Sequence, residues 1–449
     1  MSRIETDILI LGGGLSGLVA ADLLVKKNLK VIILEKEPEC GGLARTLSFK
    51  GFKYDIGGHR LCFDDAGNIA YIRGFLSSIG LNALKQKSRI LFNDRYIVYP
   101  IDFSSVFGIS KVDLAKICVE SLFLNKSAGN GNFESWVLSN YGPTLHKAFF
   151  KDYTEKVWGR PSRDISSVWA AKRVGNNNIF TSLKNLFAFD ESVKEHKKIF
   201  YYPSNGIGAL AQGLEDSLRN KCLLFKKSDI GRFLIEDGTI SSVVFVSDGN
   251  SFEVKCKKIF STIPILELCK CLRKTAGPGF EDVEDKIKYR SLMLVNLIVD
   301  KKFTTDWHWC YTPRKDLVFA RLYEPKYWNA ALAPDQTKTL LCCEIFCNHE
   351  DRLWSSCDAD LIKRVQEDLI INRILHPGDR IVDGSVTRIR YAYPLLYAGF
   401  ENDLREIRGR LASLNNICLA GRSGTHSYFD MEESIDDVKE KVDSLFSNQ

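Results

Sequence analysis

The first sixty residues follow a β-α-β rhythm. The apolar run Ile8–Leu11 predicts a strand, and apolar residues then recur at helical spacing from Ser16 to about Lys27. Val31–Leu34 predicts a second strand. So short a connection makes the two strands parallel neighbours with a right-handed crossover. Between Val106 and about Ser192 the spacing is three and four, as in Val112–Leu124 and Phe133–Phe150, which predicts helices. Elsewhere the pattern is that of strands. Arg89–Pro100 reads as a hairpin around Asn93-Asp94, and Ser291–Val299 and Lys338–Phe346 read as further strands. Strand signals also fall at Leu223–Phe225, Gly231–Glu236, Ser242–Val246 and Lys258–Thr262, with Asp237-Gly238 as a turn. The last is Asn416–Ala420, followed by Gly421 and a helix.

Neither an internal repeat nor a low-complexity linker divides the chain, so the domains are expected to interleave, with one sheet assembled from distant segments. The predicted fold class is α/β. Residues 1–86, 206–263 and 387–449 form a Rossmann-like nucleotide-binding domain. Residues 87–103 and 264–386 form an antiparallel-sheet substrate domain, and residues 104–205 a helical subdomain.

Composition narrows the function classes. The chain has 449 residues, 45% hydrophobic, 26% charged and 11% aromatic, which excludes disordered, collagen-like and coiled-coil proteins. Its net charge of +6 comes with no clustered basic run, which argues against nucleic-acid binding and suits a pocket for an anion. The 13 cysteines are an odd number with no secretory signal ahead of them, so reduced, buried thiols of a cytoplasmic protein are expected. On a strand, Cys343 and Cys347 share one face and Cys342 the other, and Cys269 and Cys271 lack a second pair, so no metal site is predicted. No apolar stretch reaches the ~20 residues of a membrane span. Glu432–Gln449 alternates acids and lysines and predicts a solvated helix.

Candidate chemistry begins at Gly12-Gly13-Gly14-Leu15-Ser16-Gly17, a G-x-G-x-x-G pattern set between strand and helix. Gly12 suits the tight turn, Gly14 the close approach of a pyrophosphate, and Gly17 close helix–strand packing, while the helix N-terminus offers free N–H groups to that anion. Glu35 ends the next strand about 18 residues beyond Gly17 and is placed to bind ribose hydroxyls. A structural turn with a capping serine is the bland alternative, and it does not account for the acid. Further on come Cys40-Gly41-Gly42-Leu43-Ala44-Arg45 and Tyr54-Asp55-Ile56-Gly57-Gly58-His59, paired glycines that NAD does not need and a longer ligand would use.

On these motifs the chain resembles the FAD-dependent amine-oxidase superfamily. The resemblance implies that Gly42, Leu43 and Arg45 lie near the FAD diphosphate, with Lys36 beside Glu35 and Gly58 beside the flavin. The segment Leu419–Ile435 is similar to that superfamily's closing strand–glycine–helix element. Gly421, Arg422, Asp430, Met431 and Ser434 then also belong to the cofactor site, the helix N-terminus stabilising negative charge on the reduced ring.

Within the superfamily the chain resembles the UDP-galactopyranose mutases. Phe150–Gly159 is similar to the mutase segment whose tyrosine stacks on uracil and whose tryptophan lines the sugar pocket, roles that fall on Tyr153 and Trp158. Arg290 in Tyr289-Arg290-Ser291-Leu292, together with Arg173, Tyr393 and Tyr428, is implied at the substrate, with His59 and Arg422 as catalytic residues beside the flavin. The resemblance implies isomerisation of a nucleotide-linked sugar by reduced flavin, in cell-surface polysaccharide biosynthesis, with NAD(P)H available as reductant and a homodimer left open. Two departures bear on the substrate. A second family histidine is absent from Arg60-Leu61-Cys62-Phe63, and His426 replaces a tyrosine.

Read without the resemblance, Tyr153 and Trp158 are core aromatics, His59 a structural histidine and Arg290 the partner of an acid in the helical subdomain. His308, Trp307, Trp309, Trp328 and the hairpin Tyr96–Tyr99 are packing residues. A net oxidase or dehydrogenase of the amine-oxidase or protoporphyrinogen-oxidase type, and a non-catalytic protein of the same fold, are the competing function classes. The complete Gly12, Gly14, Gly17 and Glu35 set argues against the last.

Overall fold

The computed structural model describes residues 1–62, 66–77, 79–92, 94–99, 110–124, 131–174, 199–274 and 279–446. Its first sheet contains β1 (Ser2–Leu11), β2 (Val31–Leu34), β9 (Leu223–Phe225), β10 (Ser228–Glu236), β11 (Thr239–Ser247), β12 (Asn250–Ser261) and β18 (Ile417–Leu419). Their order is β10-β11-β12-β1-β2-β9, with β18 also on β12. Strands β12, β1, β2, β9 and β18 pair in parallel, whereas β10 and β11 form an antiparallel extension. The predicted β1–β2 adjacency holds, with Ile8–Leu11 beside Val31–Leu34. β1 begins at Ser2 rather than Ile8, because Ser2–Thr6 pairs with Phe252–Cys256 although its own sequence is polar.

Period-2 alternation splits β1 between two cores. Ile8 and Ile10 pack with α1 (Leu15–Lys26), α7 (Gly208–Leu218) and α11 (Met431–Ser444), while Leu9 and Leu11 face α8 (Ile265–Arg273). α11 is thus not the fully solvated tail helix expected. Ile435, Val438 and Val442, spaced three and four apart, are buried against α1, and the acids and lysines occupy the other face.

The second sheet runs β17-β13-β16-β15-β14-β6-β7. Its members are β6 (Ser88–Phe92), β7 (Arg95–Tyr99), β13 (Tyr289–Val299), β14 (Trp309–Tyr311), β15 (Arg321–Tyr323), β16 (Thr339–Cys347) and β17 (Ile381–Pro394). Phe92 pairs with Arg95, leaving a two-residue turn as expected; Asp94 has φ 58°, and Asn93 lies outside the described residues. On β16, Cys343 and Cys347 face the core under α9 (Asp358–Ile371), and Cys342 faces the opposite core, the alternation read from the sequence.

Two expected boundaries move. Residues 387–394 belong to β17, whose half-exposed polar pattern carries little strand signal and which is ordered by pairing with β13. Ile265–Arg273 packs on the first sheet rather than joining the second. Two short ladders, β3 (Thr46–Phe49) with β4 (Phe52–Asp55) and β5 (Leu81–Lys85) with β8 (Ile199–Pro203), join the bodies.

Within the stretch predicted to be helical lie α3 (Lys111–Leu122), α4 (Phe133–Leu145), α5 (Lys151–Trp158) and α6 (Ser167–Val174), residues 100–109, 125–130 and 175–198 falling outside the described residues, and α2 (Ala66–Leu76) is a helix that the spacing does not predict. A π-helical turn, His146–Phe150, links α4 to α5 and reorients the segment that carries Tyr153 and Trp158. Among the described residues no helix is long and apolar enough to cross a membrane, and no cluster of His, Cys, Asp and Glu could hold a metal.

Candidate active site

The glycine turn ends β1 and opens α1 as its spacing requires. At Gly17 a Cβ would lie 1.9 Å from the Gly12 carbonyl oxygen, so only glycine lets the helix approach the strand this closely. Gly14 bridges to Gly41, and the Gly41 N–H donates to the Gly13 carbonyl at 2.9 Å, which brings the second glycine pair onto the first. Glu35 is buried. One carboxylate oxygen accepts from the Gly13 N–H at 2.7 Å and the other from the Glu37 N–H at 2.8 Å, and burial raises its pKa. Each oxygen keeps a second lone pair. Arg45 folds back, its Nε donating to the Gly42 carbonyl at 2.9 Å, whereas Lys36 points to solvent, 4.0 Å from Asp229. Leu15 is buried, and Leu43 packs partly into the core that holds Cys342.

The C-terminal element closes on this turn. Gly421 has φ +71°, and a Cβ there would lie 2.2 Å from Ser16 Oγ, so the two ends of the chain meet at α1's N-terminus. The Gly421 N–H donates to Asp437 at 2.7 Å. Asp430 caps α11 reciprocally with Glu433, Ser434 Oγ donates to the Asp430 carbonyl at 2.9 Å, and Met431 packs beside α1. Converging glycine turns, a helix N-terminus and a buried carboxylate fit a dinucleotide such as FAD.

Beside this cradle five elements bring polar and aromatic side chains together. Tyr393, at the end of β17, and Tyr428 stack with centroids 6.0 Å apart. The Arg422 guanidinium lies 4.9 Å from the first ring and 4.6 Å from the second, and its Nη1 donates to the Phe429 carbonyl at 2.8 Å. Trp158, at the end of α5, approaches Tyr428 edge-on at 6.0 Å and Tyr393 at 6.4 Å. Its buried Nε1, like the buried Nε of Arg422, has no hydrogen-bond partner among the described residues. Tyr153 is half-buried and meets Tyr311 edge-on at 5.6 Å.

Arg321 and Glu344 complete the group and were missed by sequence reasoning. Arg321 Nε donates to Glu344 at 2.7 Å, its Nη2 reaches the second oxygen and also Tyr393 OH at 3.4 Å, and Glu344 accepts from the Gly58 N–H at 3.2 Å. The signal was a lone acid in the apolar strand Leu340–Cys347, where the cysteines drew attention instead. His59 sits against this pair, its Nδ1 3.1 Å from the Gly57 carbonyl. Burial, then Arg321 and Arg422, lower its pKa to about 4. Glu432, at the start of α11, accepts from the Cys62 N–H at 2.6 Å, and burial raises it to about 7.

One expected substrate residue, Arg290, does not join the group. Arg290 is buried, with Nε donating to the Val157 carbonyl at 2.9 Å, Nη1 to Asn348 at 2.6 Å and Nη2 to the Lys156 carbonyl at 3.4 Å. It caps the end of α5, whose orphan carbonyls need donors, and among the described residues of the helical subdomain it has no acid partner. Arg173 falls in α6, and its side chain lies outside the described residues. His426 is buried edge-on to Tyr289 at 4.8 Å.

Comparison with known proteins agrees with this geometry. Residues 10–71 match the NAD(P)-binding Rossmann-like domain family. The chain is 23% identical over 286 residues to prolycopene isomerase 1, chloroplastic, of an Oncidium hybrid cultivar, covering 56% of this chain and 47% of that protein. The curated relatives it matches are spanned over less than half their length. Reduced UDP-galactopyranose mutase superposes with a TM-score of 0.83 at 22% identity, over 99% of this chain and 96% of that one. Putrescine oxidase bound to putrescine superposes at 0.68 and 14%, over 99% and 100%. Residues 10–71 thus carry a Rossmann-like nucleotide-binding domain, and the chain as a whole has the fold seen in UDP-galactopyranose mutase.

Proposed function

We propose that the protein is an FAD-dependent enzyme that isomerises a nucleotide-linked sugar without net oxidation. The observation that carries this reading is the pair of buried, unpartnered N–H donors, Trp158 Nε1 and Arg422 Nε, beside the stacked tyrosines. Buried donors left unpaired are costly, and an oxygen-rich ligand would satisfy them where a hydrocarbon would not. Arg321 is neutralised by Glu344, so among the described residues of this group Arg422 is the cation available to a diphosphate, beside the rings of Tyr393 and Tyr428. Trp158 walls the sugar, and Tyr153 stands where an aromatic platform suits a base. His59, neutral at pH 7, positions the loop Gly57–His59 rather than carrying charge. When bound, FAD supplies a nucleophile in its reduced state and a hydride acceptor in its oxidised state.

The test is a thermal-shift screen of nucleotides and nucleotide sugars on the FAD-loaded protein, followed by turnover of any hit. A ligand at 100 times its dissociation constant stabilises by about 2.7 kcal/mol. Selective stabilisation by a UDP- or TDP-sugar, isomerised only by dithionite-reduced protein, is expected; equal turnover in both redox states defeats the reading. A net redox reaction is the second reading, favoured by the fold shared with putrescine oxidase. It requires an amine, porphyrinogen or polyene to bleach the flavin anaerobically.

A further inference from the structure

A cleft of about 430 Å³ opens behind Tyr428, between α6 and α10 (Phe400–Leu411), with the segment His426–Phe429 as its floor. This volume falls within the range of small-molecule sites, about 300–1,000 Å³. Two kinds of surface line it. Leu396, Phe400, Leu404 and Phe429 make an apolar wall, and Lys172, Arg405 and Arg408 stand around it against a single acid, Glu401. On α10, Phe400, Glu401, Leu404, Arg405 and Arg408 follow one another at spacings of one and three, so one helix face presents both the apolar wall and the two guanidinium groups.

The cations are held but not saturated. Lys172 pairs with Glu433 at 2.7 Å and lies 5.0 Å from the Phe429 ring. Arg408 donates to the Thr425 carbonyl and Arg405 to Asn402 Oδ1 at 3.1 Å, one hydrogen bond each among the described residues. Each fork therefore retains donors for a bidentate acceptor. Glu401 is engaged from the other side, accepting from Ser166 Oγ at 3.1 Å. In the floor, His426 is 1% exposed, and its Nδ1 has no hydrogen-bond partner among the described residues.

We infer that this cleft binds an amphipathic organic anion, its acidic head between Arg405 and Arg408 and its apolar body against Leu396, Phe400 and Leu404. An inorganic anion would leave the apolar wall wet, and a neutral hydrocarbon would leave the guanidinium groups unused. Tyr428 lines the cleft and also stacks on Tyr393, so one ring separates this site from the group around Arg422. The inference is independent of the sugar-isomerase reading, since the cleft residues other than Tyr428 lie outside that group.

Calorimetric titration of the FAD-loaded protein with octanoate, octanol and inorganic phosphate tests it. Octanoate is expected to bind saturably at one site, with octanol and phosphate each weaker. Because exposed charge pairs are worth about 0.2–1 kcal/mol, Arg405→Ala should weaken octanoate about threefold and Glu401→Gln should strengthen it by a similar factor. Both positions are exposed, and unchanged flavin absorbance confirms folding. The proposal is overturned if octanoate does not bind, if octanol or phosphate binds as tightly, or if neither substitution moves the affinity in its stated direction.

Discussion

His59 and Arg422 face the same neighbours with opposite consequences. Burial and two nearby guanidinium groups hold the folded imidazole near a pKa of about 4, against about 6.5 for an unfolded histidine. The unfolded chain therefore takes up the proton first as the pH falls. The contribution of His59 to stability is complete above about pH 6.5 and is lost as the pH drops through about 4. Ring NMR should show no titration of His59 between pH 8 and 5.5, and His59→Asn should flatten the acid limb of the denaturation midpoint. A transition near pH 6.5 would place the ring in solvent. Arg422 carries its charge onto two tyrosine faces, without an acid partner among the described residues. Arg422→Ala should weaken nucleotide-sugar binding by about 1.5–3 kcal/mol, the worth of a charge-assisted hydrogen bond. FAD occupancy, read from the absorbance of the purified protein, should change far less.

At the scale of the element, α5 shows how a side chain can be read as binding and turn out to be scaffold. The resemblance implies Arg290 at the substrate, yet its donors go to the Lys156 and Val157 carbonyls and to Asn348. Gly159 follows with φ 66°, and a Cβ there would lie 2.6 Å from Arg290 Nη1, so the helix end and the arginine fit each other tightly. Arg290→Ala leaves buried carbonyls unsatisfied and should destabilise the protein by about 1–3 kcal/mol in denaturant unfolding. Any loss of ligand affinity in that variant should follow from displacement of Trp158, and the tryptophan near-UV dichroism should change with it. Normal stability with a selective loss of affinity would return Arg290 to the site. On β16, Glu344 is the same lesson reversed: a buried carboxylate among apolar neighbours is retained because Arg321 and the Gly58 N–H satisfy it.

Across the whole molecule, the cradle exists because residues about four hundred positions apart are brought into contact by β12, which pairs with both β1 and β18. The contact is testable by coupling. Gly421→Ala drives a methyl group into Ser16 and strains a backbone with φ +71°, so it should lower thermal stability and FAD retention. Ser16→Gly removes the atoms it strikes. The double variant should recover part of the loss, with an interaction energy of about 0.5–3 kcal/mol in a double-mutant cycle. Strict additivity would mean that the two ends do not touch.

Local patterning was enough for β1, α1, β2, the Phe92–Arg95 turn and the opposed faces of Cys342 and Cys343, because each depends on periodicity or turn chemistry within a few residues. The glycine motif and Glu35 were legible for the same reason, since their spacing is dictated by one strand–turn–helix. Polar strands such as the start of β1 and all of β17 carry no such signature and are ordered only by their neighbours' hydrogen bonds. The buried face of α11 likewise became visible only where α1 packs on it. Tertiary structure alone decided that Arg321 and Glu344 stand beside His59 while Arg290 does not. A side chain's role depends on which unpaired donors and acceptors lie within about 3 Å, and chain separation says nothing about that.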